Sequence, residues 1–467
     1  MNNNKHKQRV ERIQEKVRGH FVNKTPFRIY HGSTNSTRVL TFKRDEMIDT
    51  SKLDNVISVN ASTKTAIVEP NVSMDKLVKA TLKKGLIPPV VTEFPGITVG
   101  GAIQGAAIET SSHKWGCFSQ TVNWIEMILG DGERVIASSD KNQDLFFGTA
   151  GSYGSLGLVT SVELQLIKAK KFVSITHHPV SSFKEALALS CEFIDEQNDF
   201  IECIMFSKNQ GSLIVGNLTN EIIGSLKRFR RPFDTWYYLY AREVVKHEKK
   251  VTNSLPIEDY LFRYNRGAFW GGKMAFDHFG VKFNAVNRFL LDPLLRTRKL
   301  YQALQESAAA QMYICQDIVL PGSSVVRFMN IMDKEFSMYP MIFCMIKPEP
   351  RSKLQPNGID ADMLFNVGVY GMKITPYKKF VEANRYIEKV TRKLGGKKWF
   401  YAHSYYTKDE FWDIYDKNWY KKLRSKYKAE HLPDIYERTR VKEKRNVNHK
   451  QAVLKTIFGR SKLKIID

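Results

Sequence analysis

The feature that most constrains this chain is a run of small residues at 95–116, PGITVGGAIQGAAIETSSHKWG, with five glycines among twenty-two positions. So little side chain cannot build a packed core. Its value lies in the backbone, whose N–H groups can approach a ligand with no side chain in the way. The glycines at 100, 101 and 105 lack the spacing of a dinucleotide fingerprint, and the downstream helix and acidic ribose partner of that motif are missing. A second glycine-rich run, GTAGSYGSLG at 148–157, leads into a strand and fails the same test. Either run alone reads better as a tight loop. Two of them, about forty residues apart, can line one long phosphate-bearing ligand from two sides.

With 467 residues the chain exceeds one ordinary core, so two or three domains are expected. A hydrophobic content of 43% supports large buried surfaces and confines expected disorder to the ends. Between about residues 25 and 167, short β-branched segments bounded by turn residues alternate with helical ones: FRIYHG, NVISVNA, TAIVEPN and GLVTSVELQLI. WIEMILGDGERVIA reads as a hairpin turning at 130–133. Residues 74–85 predict a helix with Met74, Leu77, Val78 and Leu82 on one face and Gly85 as its stop. Beyond Lys168 aromatic and basic residues thicken, which puts a boundary near Ile167. The expected division is a polar lead-in at 1–24, a domain at 25–168, a second at 169–440 and a basic tail at 441–467. From Lys421 to the end there are 15 Lys/Arg against 5 Asp/Glu, which is why the tail reads as basic.

No apolar window reaches transmembrane length, and the charged N-terminus lacks the apolar stretch of a signal peptide. A cytoplasmic, non-secreted protein, peripheral on a membrane at most, is expected. Five widely spaced cysteines without CxxC argue against disulfides and structural zinc. The net charge of +24 implies an anionic partner: a phosphate-bearing cofactor, an acidic lipid surface or nucleic acid. Nucleic acid is set aside, because zinc-finger spacing, an RNP-like signature and a homeodomain-like helix are all missing.

Residues 48–86, IDTSKLDNVISVNASTKTAIVEPNVSMDKLVKATLKKGL, resemble the vanillyl-alcohol-oxidase-type (PCMH-type) FAD-binding family. In that family a strand pair ending in VEPNVS precedes a helix and a glycine-rich loop that cradles the FAD pyrophosphate. TVGGAIQGAAIETSSHKWG and NQDLFFGTAGSYGSLGLVTSVELQLI fit later parts of the same domain. AAIETSSHKWGCF, DLFF, GSLG, AKKFV, RYNRGAFW, CQDIVLP, NVGVYG and YAHSYYTKDEFWDIYD are similar to its Δ24-sterol reductase branch over roughly residues 25–440. The resemblance implies an α+β chain: a two-subdomain PCMH-type FAD-binding domain, then a mixed α/β substrate (cap) domain that returns to the flavin. Residues 1–24 do not resemble the membrane segment that animal and plant members carry.

The same resemblance implies a site. Thr98, Val99, Gly100, Gly101, Gly105 and the run Thr110, Ser111, Ser112 would face pyrophosphate and flavin, with His113, Gly116, Gly157 and Val159 beside them. Gly32, Ser33, Thr34 and Asn35 would hold the phosphates from the other side. Members that tether their flavin use a His where Thr34 aligns, three residues after His31, so non-covalent FAD is expected. Reducing an isolated double bond needs a hydride and a proton, and His403 in WFYAHSYY is the expected acid, equally readable as a satisfied core histidine. Tyr401 and Tyr405 flank it as helpers on one strand face, or as core. Glu109 would repel pyrophosphate and is expected to face away. NADPH is the implied donor, and a sterol or related isoprenoid the implied substrate, for which the aromatic second domain supplies an apolar slot. The alternative is an FAD-dependent alcohol dehydrogenase or oxidase acting on a substrate such as a lipid-linked sugar. Ala452, Val453, Ile457 and Phe458 in the tail form one helical face that suits an anionic membrane surface, though such tails are commonly solvated, frayed ends.

Overall fold

The structure, a computed structural model, describes residues 2–32, 34–194, 198–247, 249–307, 309–441 and 463–466. Helices and strands are mixed along the chain, and two sheets dominate. The first is antiparallel and five-stranded, in the order Val56–Asn60, Thr65–Val68, Leu158–Gln165, Val122–Ile128, Arg134–Ser138. Its middle strand, Leu158–Gln165, is buried on both faces along most of its length, matching its β-branched composition. Gly157 enters that strand at φ 141°, and a Cβ there would stand 2.6 Å from the Ile128 carbonyl oxygen, so only glycine fits.

The expected helix forms at Met74–Leu82, burying Met74, Leu77, Val78 and Thr81, while Leu82 is half-buried; Gly85, at φ 69°, lies just past its end. The hairpin at 122–138 also forms, turning through 129–133.

The second sheet has nine strands drawn from residues 172–398, antiparallel except where Ser225–Leu226 pairs with Val251–Pro256. Its long central pairs join Phe172–Val180 to Gln210–Thr219 and Tyr313–Pro321 to Leu364–Lys373. The chain then runs back onto the first sheet. Gly148 and Gly130 leave room for that return: a Cβ would stand 2.5 Å from Leu423 at the first and 2.0 Å from the Lys428 carbonyl oxygen at the second.

Both chain ends depart from expectation. The helix Asn2–Val22 is no lead-in: Val10, Ile13 and Val17 are buried against Phe27, Ile48, Leu53, Ile128 and Leu158. His6 continues that stripe, with Nδ1 2.8 Å from Glu69 and Nε2 3.9 Å from Glu126. Glu69, from the VEPNVS segment, also accepts hydrogen bonds from the backbone and side-chain amides of Asn55. At the other end Lys464–Ile466 pairs in parallel with Thr41–Lys43 and Leu463 is buried, so residues 463–466 are docked. Ala452, Val453, Ile457 and Phe458 lie outside the described residues.

Glu126 and Glu69 push the pKa of His6 up from 6.5 to about 9. A raised histidine pKa adds stability that is complete below 6.5 and is lost as pH rises through the folded-state value. Thermal unfolding should therefore show Tm falling by on the order of a few degrees between neutral pH and pH above 9, and His6→Gln should flatten that slope.

Candidate active site

A cavity of about 690 Å³ opens among the glycine run, the loop at 31–38 and the second sheet. Thr34, Asn35, Thr98, Gly100, Gly101, Gly105, Val159 and Tyr401, all expected site residues, line it. Thr98 caps the short helix Val99–Gln104 by accepting from the Gly101 N–H, and Val99 is buried inside that turn. A Cβ on Gly100 would stand 2.8 Å from Pro70 Cβ, so the helix lies directly on Pro70. On Gly101 a Cβ would meet only its own capping hydroxyl, which leaves the backbone bare toward the cavity.

Other expected site residues point elsewhere. Gly32 is exposed at φ 83° outside the cavity wall, and Ser33 lies outside the described residues. The run Thr110–His113 joins the two sheets: the Thr110 carbonyl accepts from Ile201 N–H, and the Ser112 carbonyl from Lys347 N–H. The Ser111 hydroxyl donates to the Pro89 carbonyl, and the Ser112 hydroxyl accepts from Glu109 N–H. His113 lies between the carbonyls of Thr110 and Asn198, at 2.9 and 3.2 Å, and burial lowers its pKa. Gly116, at φ 72°, makes a turn closed by Gln120. In the second glycine run Gly148, Gly151, Gly154 and Gly157 pack against protein, and only Tyr153 reaches the cavity, followed by Leu158 and Val159.

His403 is also withdrawn from the cavity wall. Its ring is fully buried, edge-on to Phe380 and parallel to Tyr405, with Nδ1 3.4 Å from the Thr37 hydroxyl. Burial, with Lys398 and Arg38 nearby, drops its pKa to about 3, which disfavours the imidazolium that a general acid would need. The segment around it is irregular and not a strand, so Tyr401, Ala402 and His403 do not alternate about a sheet.

Three guanidiniums the sequence did not single out line the wall: Arg28, Arg38 and Arg438. Arg38 donates to the carbonyls of Phe400 and Arg438, and Arg438 to those of Pro433 and Phe27. Among the described residues none of the three lies within ion-pair distance of a carboxylate. Burial lowers the pKa of Arg38 to about 10 and of Arg438 to about 9, with Arg28 adding repulsion in both. Arg38 is buried and Arg28 and Arg438 are half-buried. Glu46 and Glu437 act on Arg28, and Asp434 on Arg438, only from beyond contact distance, so an anion among the three guanidiniums is favoured. His31 Nδ1 and the Thr92 hydroxyl are buried in the same wall without a partner.

A second group faces the cavity from the other sheet. Asp317 accepts from the hydroxyls of Tyr370 and Tyr401 and, at 2.9 Å, from the Asn366 amide. Burial raises its pKa above the usual carboxylate value, and the three donated hydrogen bonds act in the opposite direction. Around it the wall is aromatic and aliphatic: Phe94, Phe269, Tyr301, Met274 and Leu304. Glu93 also lines the cavity, and burial followed by the charge of Glu109 raises its pKa well above the usual range. Glu109 turns away as expected, onto Arg263 Nη1 at 2.8 Å.

A bare backbone cradle, unpaired guanidiniums and unpartnered donors beside an apolar slot define the site of a protein that holds a long, anionic cofactor next to an apolar reactant. A family model for an FAD binding domain matches residues 8–138, a span that contains the cradle and most of the loop donors. FAD fits the residues present: Gly100, Gly101, Thr98, Asn35 and the three arginines would hold it. Over 452 residues the chain is 28% identical to the Delta(24)-sterol reductase of Homo sapiens, covering 93% of this chain and 86% of that protein. It is 30% identical to that of Arabidopsis thaliana and 31% to that of Pisum sativum, each over 82% of this chain and 74% of the relative. The chain belongs to the Delta(24)-sterol reductase family, and its cofactor is FAD.

Gly101→Leu should fill the cradle and cut the flavin content of the purified protein by roughly ten-fold while leaving its circular dichroism unchanged. Unaltered visible absorbance would show that the flavin lies elsewhere.

Proposed function

We propose that this protein reduces a carbon–carbon double bond of a sterol or a related isoprenoid, with NADPH as the electron donor. The observation that carries this is the continuity of one cavity, cationic and glycine-lined in one part of its wall and apolar around the Asp317 carboxyl in another. The family relationship supports the same chemistry. Residues 2–168 form the FAD-binding domain, with the helix Asn2–Val22 included and the five-stranded sheet in one of two subdomains. Residues 169–440 form the substrate domain, whose last stretch returns to the flavin. The protein works in the cytoplasm at a membrane surface. No helix among the described residues is long and apolar enough to cross a bilayer.

FAD, when bound, supplies the hydride equivalent drawn from NADPH. The chain's own residues supply the rest. Phe94, Phe269 and Tyr301 exclude water and lay the apolar substrate along the slot. Asp317, whose pKa burial raises, and the Tyr401 hydroxyl that donates to it form the path for the proton that the second carbon of the double bond must receive. His403 stands behind this wall, and its ring meets the Thr37 hydroxyl.

Incubation with NADPH and a sterol with an unsaturated side chain should yield the saturated product, carrying solvent deuterium at the carbon that receives the proton when the reaction runs in deuterium oxide. Asp317→Asn should slow turnover by roughly 10²-fold without slowing flavin reduction by NADPH. Because the acid must be protonated, wild-type turnover should fall as pH rises through the raised pKa of Asp317, and the Asn variant should lose that limb. A variant with wild-type turnover would remove Asp317 from the proton path. The flavin is held without a covalent bond, so acid precipitation should leave its colour in the supernatant; colour retained in the pellet would point to His31, which also lines the cavity.

A further inference from the structure

The helix Ala285–Leu290 buries none of its residues, although it carries Val286, Phe289 and Leu290 at i, i+3 and i+4, on one face. These side chains are 65%, 49% and 64% exposed. Just before the helix, Phe279 and Val281 are exposed as well, and both belong to the cavity wall. Single exposed apolar residues are ordinary on a protein surface; five large ones within twelve consecutive residues, reaching the mouth of an apolar cavity, mark a surface that meets something apolar.

The charges around the rim narrow the partner. Between Phe279 and Leu290 there is no acidic residue, while Lys282 is exposed and Arg288 lies over the rings of Phe283 and Trp236. Arg242 stands near Arg288, around a shallow hollow. The neighbouring carboxylates are occupied: Glu243, which shares that hollow, pairs with Lys246, Asp277 pairs with Lys273, and Asp292 is buried against Arg266 and Arg296. An apolar face edged by basic side chains, whose stems can lie along hydrocarbon while their heads meet phosphate, matches an anionic bilayer surface.

We propose that residues 279–290 are a membrane-docking rim: Val286, Phe289 and Leu290 enter the interface of an anionic bilayer, and Phe279 and Val281 carry the apolar lining of the cavity down to it. An apolar substrate then passes from bilayer to cavity without crossing water. The inference rests on the reading of the substrate as an apolar lipid; the docking itself is tested without reference to turnover.

The test is flotation of the full-length flavin-loaded protein with vesicles of phosphatidylcholine and phosphatidylserine, at physiological salt and at 1 M salt, where charge attraction is screened within roughly 3 Å. The wild type should float in both. The combined variant Val286→Ser, Phe289→Ser, Leu290→Ser should bind roughly ten-fold less at high salt while keeping its flavin band. Its turnover of detergent-solubilised substrate should be unchanged, and its KM for vesicle-borne substrate raised. A variant that floats like the wild type overturns the proposal. So does a wild type that never floats, or one that elutes as a dimer which the variant dissociates, because the face would then join two copies. NADPH bleaching of the flavin in detergent reports on the reductase reading alone, so the two can fail separately.

Discussion

Arg263 is the joint on which the rest of the structure depends. It is sealed from water with one nitrogen on Glu109, at the end of the glycine run, and another on Glu202, in the nine-stranded sheet. Tyr264 and Tyr237 donate to Glu202 as well, and the guanidinium lies over the Tyr260 ring at 4.3 Å. A buried arginine is costly unless its charge is matched, and here two carboxylates match it and hold its pKa well above the ordinary value. The joint fixes the loop that follows the cradle against the sheet that carries Asp317. The two parts of the cavity wall, built from residues far apart in the chain, thereby face each other.

That arrangement separates two kinds of charge. Among the described residues the guanidiniums of Arg28, Arg38 and Arg438 have no carboxylate within ion-pair distance, which suits pyrophosphate. The carboxyls of Asp317 and Glu93 lie in apolar surroundings that favour their protonated form. Had the acids stood beside the arginines they would have ionised and cancelled the attraction for an anion. Part of the +24 excess lines the cavity through Arg28, Arg38 and Arg438.

Much of this was legible in the chain itself. The strand pair before Met74–Leu82, the hairpin at 122–138 and the bare backbone at Gly100 and Gly101 follow from periodicity and glycine placement alone. The N-terminal helix was misjudged because its average polarity hides a stripe of His6, Val10, Ile13 and Val17, which only becomes core once Glu69 supplies a partner. Thr110–His113 looked like anion ligands because hydroxyls and imidazole serve backbone carbonyls as readily as phosphates. His403 was favoured for its ordinary pKa, and burial removes that property. Asp317, Arg38 and Arg438 carry no local signal, since what distinguishes them is the environment that distant segments build around them.

The most direct test of the account is an anaerobic NADPH titration of the as-isolated protein, followed through its visible flavin band. The account predicts a bound flavin that NADPH bleaches and that an unsaturated sterol then restores. A flavin band untouched by NADPH but bleached by an alcohol would contradict the reductase assignment. A protein with no flavin band, even after FAD is added, would contradict the cofactor site itself.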